Sequence, residues 1–331
     1  MRNRSEKWLS LILVFSLVIG LIGSIYNPII ASPIIEAVDL TGTSYTQNFD
    51  TLANSGSPAW SNDSTLTGWY LITDTNSSVT SYSPGTGTET TGAFYSYGSS
   101  GATERALGGL GSNSYYGSSG SGKGHIGLVI YNNTGKNISQ ILISYVGEQW
   151  RANNASAQSL TFTYKNLTTA PMDASVFASA TTGWTAVSGL TFSSPINTTS
   201  SPQAKDGNLA ENRLSISSSI SGISMSPGTY ILLRWTDLND SGNDHGLAID
   251  DLSLTFTTTD VDTAPAVTST TPANLSTDIA LDSNISITFN EAVDVIGSWF
   301  SISCGTSLTH TAAVSGGPTS YILNPDSDFV N

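Results

Sequence analysis

Hydrophobic and polar positions alternate through long stretches of this chain, and the alternation predicts strands. Leu160-Thr161-Phe162-Thr163-Tyr164-Lys165 is the clearest case, with an apolar residue at every second position as a half-buried strand requires. Residues 126–131 are nearly all apolar, Asn132-Asn133-Thr134-Gly135 marks a turn, and 141–146 are again largely apolar. Tyr230-Ile231-Leu232-Leu233-Arg234-Trp235 and Leu252-Ser253-Leu254-Thr255-Phe256 predict two further strands. Ser/Gly-rich runs such as 98–101 and 117–124 read as loops between strands. After the N-terminal segment no stretch places apolar residues at helical spacing with caps. More than 200 residues of strands without intervening helices predict an all-β protein: an antiparallel jelly-roll β-sandwich over 38–258.

The first 31 residues follow another pattern. Arg2, Arg4 and Lys7 precede an apolar run over 8–26, and small residues and Pro33 follow closely. That is the layout of a secretory signal peptide over 1–31. The run is also long enough for one spanning helix, so an uncleaved anchor is the rival reading and the chain's one expected membrane contact. Either way the remainder is expected outside the cell, secreted or at the cell surface.

Polarity comes mostly from uncharged groups. The 331 residues include 53 Ser and 41 Thr, while only 11% are charged. Ser, Thr and Gly are poor helix-interior residues, which strengthens the strand-and-turn reading. Eleven basic against 25 acidic residues give a net charge of −14. An acidic chain lacks the clustered Lys and Arg that a phosphate backbone needs, so nucleic-acid binding is not expected. One Cys and three His exclude a disulfide scaffold, a zinc finger and a haem or iron–sulfur site within the chain.

Residues 259–266 are a polar linker, and from Val267 a second alternating pattern begins, clearest at Ile285-Ser286-Ile287-Thr288-Phe289. Only 65 residues follow the linker, against about 100 for an immunoglobulin-like sandwich, so 267–331 reads as a miniature or incomplete one. Val267-Thr268-Ser269-Thr270-Thr271-Pro272-Ala273-Asn274, followed by Asn284-Ile285-Ser286-Ile287-Thr288-Phe289-Asn290-Glu291-Ala292-Val293, resembles the bacterial Ig-like domain of the surface-layer type. The resemblance implies a domain that runs on past Asn331 and brings a second Cys to Cys304. Upstream, Gln47-Asn48-Phe49-Asp50-Thr51-Leu52, Gly68-Trp69-Tyr70, Gly108-Gly109-Leu110-Gly111, Tyr145-Val146-Gly147-Glu148-Gln149-Trp150-Arg151 and Asp244-His245-Gly246-Leu247-Ala248-Ile249-Asp250-Asp251 resemble the jelly-roll region at the front of bacterial extracellular nuclease-like and lamin-tail-containing proteins. That resemblance implies a large exported protein whose enzymatic part, if any, lies elsewhere.

Catalytic chemistry has little to stand on within these residues. Residues 117–124 almost spell a phosphate-binding loop but end in Gly where Ser or Thr must ligate magnesium. His245 beside Asp244 could imitate a hydrolytic triad, yet so many serines make that coincidence cheap. No catalytic residue is assigned.

Calcium is the better expectation. Asp237-Leu238-Asn239-Asp240-Ser241-Gly242 places oxygen groups at alternating positions before a Gly, which fits either a calcium loop or a polar hairpin turn. Asp250 is more informative. Strict alternation puts it on the apolar face of its strand with Ala248, Leu252, Leu254 and Phe256, where a carboxylate is costly unless paired or metal-bound. The expected calcium ligands are Asp250, Asp50 and Asp251; the competing readings give Asp250 an Arg234 partner or backbone hydrogen bonds. Tyr115 and Tyr116, in a loop-like stretch, are candidates for stacking on a sugar ring. The expected function is a non-catalytic extracellular module for surface display, adhesion or substrate targeting, with polysaccharide or a cell-wall component as ligand. The rival is the N-terminal accessory region of a secreted nuclease or phosphoesterase.

Overall fold

The computed structural model describes residues 35–153, 156–197, 199, 201–304 and 308–329; the expected signal peptide lies outside them. The first strands are β1 (Val38–Leu40), β2 (Ser44–Gln47), β3 (Trp69–Thr73), β4 (Ser83–Gly85), β5 (Ala93–Tyr97) and β6 (Ala106–Leu110). Next come β7 (Lys123–Asn132), β8 (Asn137–Ala152), β9 (Ser159–Leu167), β10 (Thr185–Ala186), β11 (Phe192–Ser193) and β12 (Gln203–Ala204). The sandwich closes with β13 (Arg213–Met225), β14 (Tyr230–Leu238) and β15 (Gly246–Thr259). Among the described residues, helical turns are limited to short 3-10 segments such as Ala174–Phe177.

Two sheets result. One runs β1-β7-β14-β9-β10, with β3 beside β7 and β11 beside β9. The other runs β12-β8-β15-β6-β5-β4, with β13 beside β8 and β2 beside β15. From β6 to β9, and again from β13 to β15, successive long strands change sheet at every step. That crossing over is the jelly-roll trait, and it makes each sheet antiparallel through its centre. Two short edge pairings, β1 with β7 and β4 with β5, are parallel, a departure from the expected antiparallel arrangement.

The main core lies between the sheets. Trp235 of β14 is at its centre, stacked on Trp69 at 5.9 Å, with Phe162 and Tyr145 meeting it edge-on at 5.2 and 5.8 Å. Gly147 leaves room for the Phe192 ring, which a Cβ there would approach to 2.3 Å. Both outer faces are also partly covered. Outside the first sheet, Tyr70, Ile72, Val129 and Leu232 pack under Phe177 and Trp184. Arg234 stands there, 4.0 Å over the Trp184 ring, and donates to the carbonyls of Phe177 and Ala178. Burial on both faces explains why the β14 sequence reads as an almost unbroken apolar run. Outside the second sheet, Tyr95, Tyr97, Leu110, Trp150 and Ala248 form another cluster.

The face of Asp250 departs from strict alternation. In β15, Leu247 and Ile249 point into the main core, and so do Leu252, Leu254 and Phe256. The change of parity is made by a bulge: the register against β8 shifts between Asp250 and Ser253, and Asp251 takes φ +49°. Asp250 therefore shares the outer face of the second sheet with Ala248, and not the core face with Leu252. Arg234 lies outside the opposite sheet, so it is not the partner of Asp250.

Beyond Thr259 a separate sheet begins at Val267. It orders β16 (Val267–Thr271), β17 (Ile285–Phe289), β21 (Ser320–Pro325) and β20 (Ala312–Gly316), beside a hairpin of β18 (Ile302–Cys304) and β19 (Leu308–His310). The side chain of Cys304 lies outside the described part of the structure.

Candidate cation centre and a polar cleft

The bulge sets up the site. Asp250 on β15 and Glu148 on neighbouring β8 both face outward, because Tyr145, Ile143 and Ile141 take the inward positions of β8. Glu104, just before β6, reaches the same spot. One carboxylate oxygen from each of Glu104, Glu148 and Asp250 lies within 4.8 Å of the other two. The segment after β12 covers them: Asn208 donates to Glu104 Oε2 at 2.5 Å, and Gly207 packs against the Trp150 indole.

Burial dominates the electrostatics. It pushes Asp250 up to about 9, helped by the nearby charges of Glu148, Asp251 and Glu104. Burial likewise pushes Glu148 up to about 7, against the hydrogen bond from Trp150 Nε1 to its Oε2 at 2.8 Å. The other oxygens are available. Asp250 Oδ1 and Glu104 Oε1 are buried with no hydrogen-bond partner, a situation that costs about 1–3 kcal/mol per group. Three carboxylates, two of them with an unpartnered oxygen, fit a calcium ion's preference for hard donors.

Of the expected ligands, Asp250 is at this centre and Asp50 and Asp251 are not among the converging three. Asp50 is exposed; its Oδ1 accepts from Arg105 N at 3.1 Å and its Oδ2 from Asn48 Nδ2 at 2.7 Å, so it braces the residue next to Glu104. Asp251 is exposed at the bulge; its backbone N–H works to lower Asp250, as the backbone-bonded reading expects, and its charge works more weakly to raise it. Glu104 and Glu148 were not singled out in the sequence. The available signal was Glu148 two residues before Trp150, one face of a strand carrying a carboxylate next to a large apolar ring.

Tyr116 is fully buried, packed against Phe94, which leaves no ring face for a sugar. Tyr115 is half-buried with its ring against the same Phe94. The 237–242 segment bonds to its own surroundings. Asp240 N donates to Asp244 Oδ1 at 2.7 Å, and Asn239 Nδ2 to Asn113 Oδ1 at 2.9 Å and Gly117 O at 2.5 Å. Asp237 is buried at the end of β14, and burial first, then the charges of Asp244 and Asp240, hold its carboxyl well above the usual range.

Two histidines have structural work. His245 Nδ1 accepts from Asn153 N at 3.0 Å and from Gln149 Nε2 at 3.2 Å. That leaves its Nε2–H to donate to Ser156 O, a neutral ring with no free lone pair for a substrate proton. His125 is fully buried between Thr236 Oγ1 at 3.0 Å and Asp74 Oδ1 at 3.1 Å. Asp74 also accepts from Ser179 N and Oγ; burial works to raise it, and these bonds together hold it down at about 2.

A cleft of about 630 Å³ opens between the 110–114 segment, the 239–244 loop and the end of β8. Its lining includes Arg151, Asn153, Asn239 and Asp244, each more than nine-tenths buried.

Residues 261–331 match the family described as a bacterial Ig-like domain. No curated protein matches the chain. Among solved structures, a xylan-binding domain from Paenibacillus barcinonensis aligns at TM-score 0.29 and 10% identity, over 67% of this chain and 96% of its own. An adhesin domain of Lys-gingipain from Porphyromonas gingivalis aligns at TM-score 0.32 and 15% identity, over 57% of this chain and 91% of its own. At such scores neither likeness transfers what those domains bind.

Proposed function

We propose that this chain is a non-catalytic module of an exported protein, serving surface display, adhesion or targeting. Its sandwich is fastened by calcium held between Glu104, Glu148 and Asp250. The observation that carries this reading is the buried three-carboxylate centre with unpartnered oxygens on Asp250 and Glu104. Such a cluster is a liability for a bare fold and an asset for one that binds a divalent cation. The ion would join β8, β15 and the approach to β6, three neighbouring parts of one sheet. The Ig-like match at 261–331 and the engaged nitrogens of His125 and His245 support a binding rather than a catalytic role. Extracellular polysaccharide or a cell-wall component is the ligand class this module would meet. A second reading, an accessory region of a secreted nuclease or phosphoesterase, is favoured by the residue pattern at 47–52, 145–151 and 244–251.

Thermal melting in calcium, magnesium and chelator tests the proposal. A ligand at 100-fold its dissociation constant adds about 2.7 kcal/mol, and a domain this size gains about 2–4 °C per kcal/mol. Calcium should raise the melting temperature by several degrees and magnesium, bound to tighter octahedral geometry, by much less. Identical melting in all three contradicts the proposal. Turnover of DNA, phosphate esters or polysaccharide that is lost on His245→Ala contradicts the non-catalytic role.

A further inference from the structure

The polar cleft beside the 239–244 loop is separate from the carboxylate centre and has the construction of a binding site. Arg151, Asn153, Asn239 and Asp244 line it while nearly buried, so their positions are fixed by the fold. Arg151 is held by donation from its Nη1 to Gly87 O at 3.0 Å. Asp244 is held through Oδ1 by Asp240 N, and its other oxygen stands over Gly111, where a Cβ would come within 2.9 Å. Asn153 is anchored by its side-chain amide to Asp244 O and by its backbone to His245, while its Oδ1 has no partner.

The lining chemistry selects the ligand. Apart from Leu110 and Pro202 the side chains are polar, which disfavours an apolar guest. Asp244 with neighbouring Asp240, in a chain of net charge −14, disfavours an anion. Arg151, also in the lining, disfavours a free cation. A carboxylate, a guanidinium and several amides together offer paired donors and acceptors, the complement of adjacent hydroxyl groups that each donate and accept. The volume is in the range of small-ligand pockets, room for the end of a chain rather than for a long strand. We propose that this cleft binds the end of a neutral saccharide chain, its hydroxyls held by Asp244, Arg151 and the asparagine amides.

The inference rests on the reading of this chain as a non-catalytic binding module, and one set of samples separates the two. The full chain is titrated by calorimetry with cello-, xylo-, manno- and maltohexaose, and each sample is also melted with and without calcium. At least one hexaose should bind below millimolar. Asn243→Ala should weaken it, and Ser114→Trp, an exposed position on the rim, should weaken it at least tenfold with the melting temperature unchanged. No binding by any of the four at millimolar concentration overturns the cleft, as does binding that survives Ser114→Trp. A calcium shift that persists in that case leaves the module reading standing. Cleavage of a bound hexaose leaves the cleft standing and overturns the non-catalytic role.

Discussion

Asp250 carries the most consequence for its size. Its folded pKa of about 9 stands above the value near 4 of an unfolded aspartate. Between those values the native state holds a proton that the unfolded chain has lost, so stability falls as pH rises through that window. Glu148, raised to about 7, adds to the same slope between about pH 4 and 7. In chelator the protein should melt at a lower temperature at pH 8 than at pH 5, and calcium should narrow that gap by giving the ionised carboxylates a partner. Asp250→Asn keeps the shape and removes the charge. In chelator at pH 8 it should melt above the parent, and its calcium response should be gone. A lower melting temperature for this variant would mean that the carboxyl has a partner the fold depends on. At the core, Trp235→Ala should cost about 3–5 kcal/mol, since the side chain is fully buried among Trp69, Tyr145 and Phe162; denaturant unfolding measures it.

At the scale of elements, the bulge in β15 decides what can bind. Alternation along 248–256 was legible in the sequence, and it located the strand and marked Asp250 as unusual. The face was not legible, because one extra residue reverses parity and nothing in Asp250-Asp251-Leu252 spells out a left-handed residue. Glu104 and Glu148 stayed hidden for a related reason: they lie 146 and 102 residues before Asp250 in the chain, and only the order β8-β15-β6 brings them to it. The double-sided burial of β14 was visible as an apolar run, but the segment that covers its outer face, around Phe177 and Trp184, has no periodic signature. The bulge makes its own prediction. Asp251 is non-glycine at φ +49°, so Asp251→Gly should hold or slightly raise stability. Asp251→Val should cost at least about 1–2 kcal/mol, because a β-branched side chain resists that backbone. Equal melting of the two variants would mean that the bulge relaxes away in solution.

Across the whole molecule, apolar burial is concentrated in the sandwich. Among the described residues from 267 to 329, the buried hydrophobic side chains are Ile302, Tyr321 and Leu323, while Leu275 and Ile296 are 91% and 85% exposed. Amides of β16, β17, β20 and β21 should therefore exchange with deuterium well before those of β7, β8, β14 and β15; simultaneous exchange would show one cooperative unit. The net charge of −14 draws cations to the whole surface, so a general effect of calcium must be told apart from a site. Calorimetric titration of calcium into the full chain at pH 7.5, repeated in buffers of different ionisation enthalpy, makes that distinction. A centre built from Glu104, Glu148 and a protonated Asp250 predicts one ion per chain and release of about one proton, both lost in Asp250→Asn. Binding without proton release, or binding that Asp250→Asn leaves intact, would contradict the account.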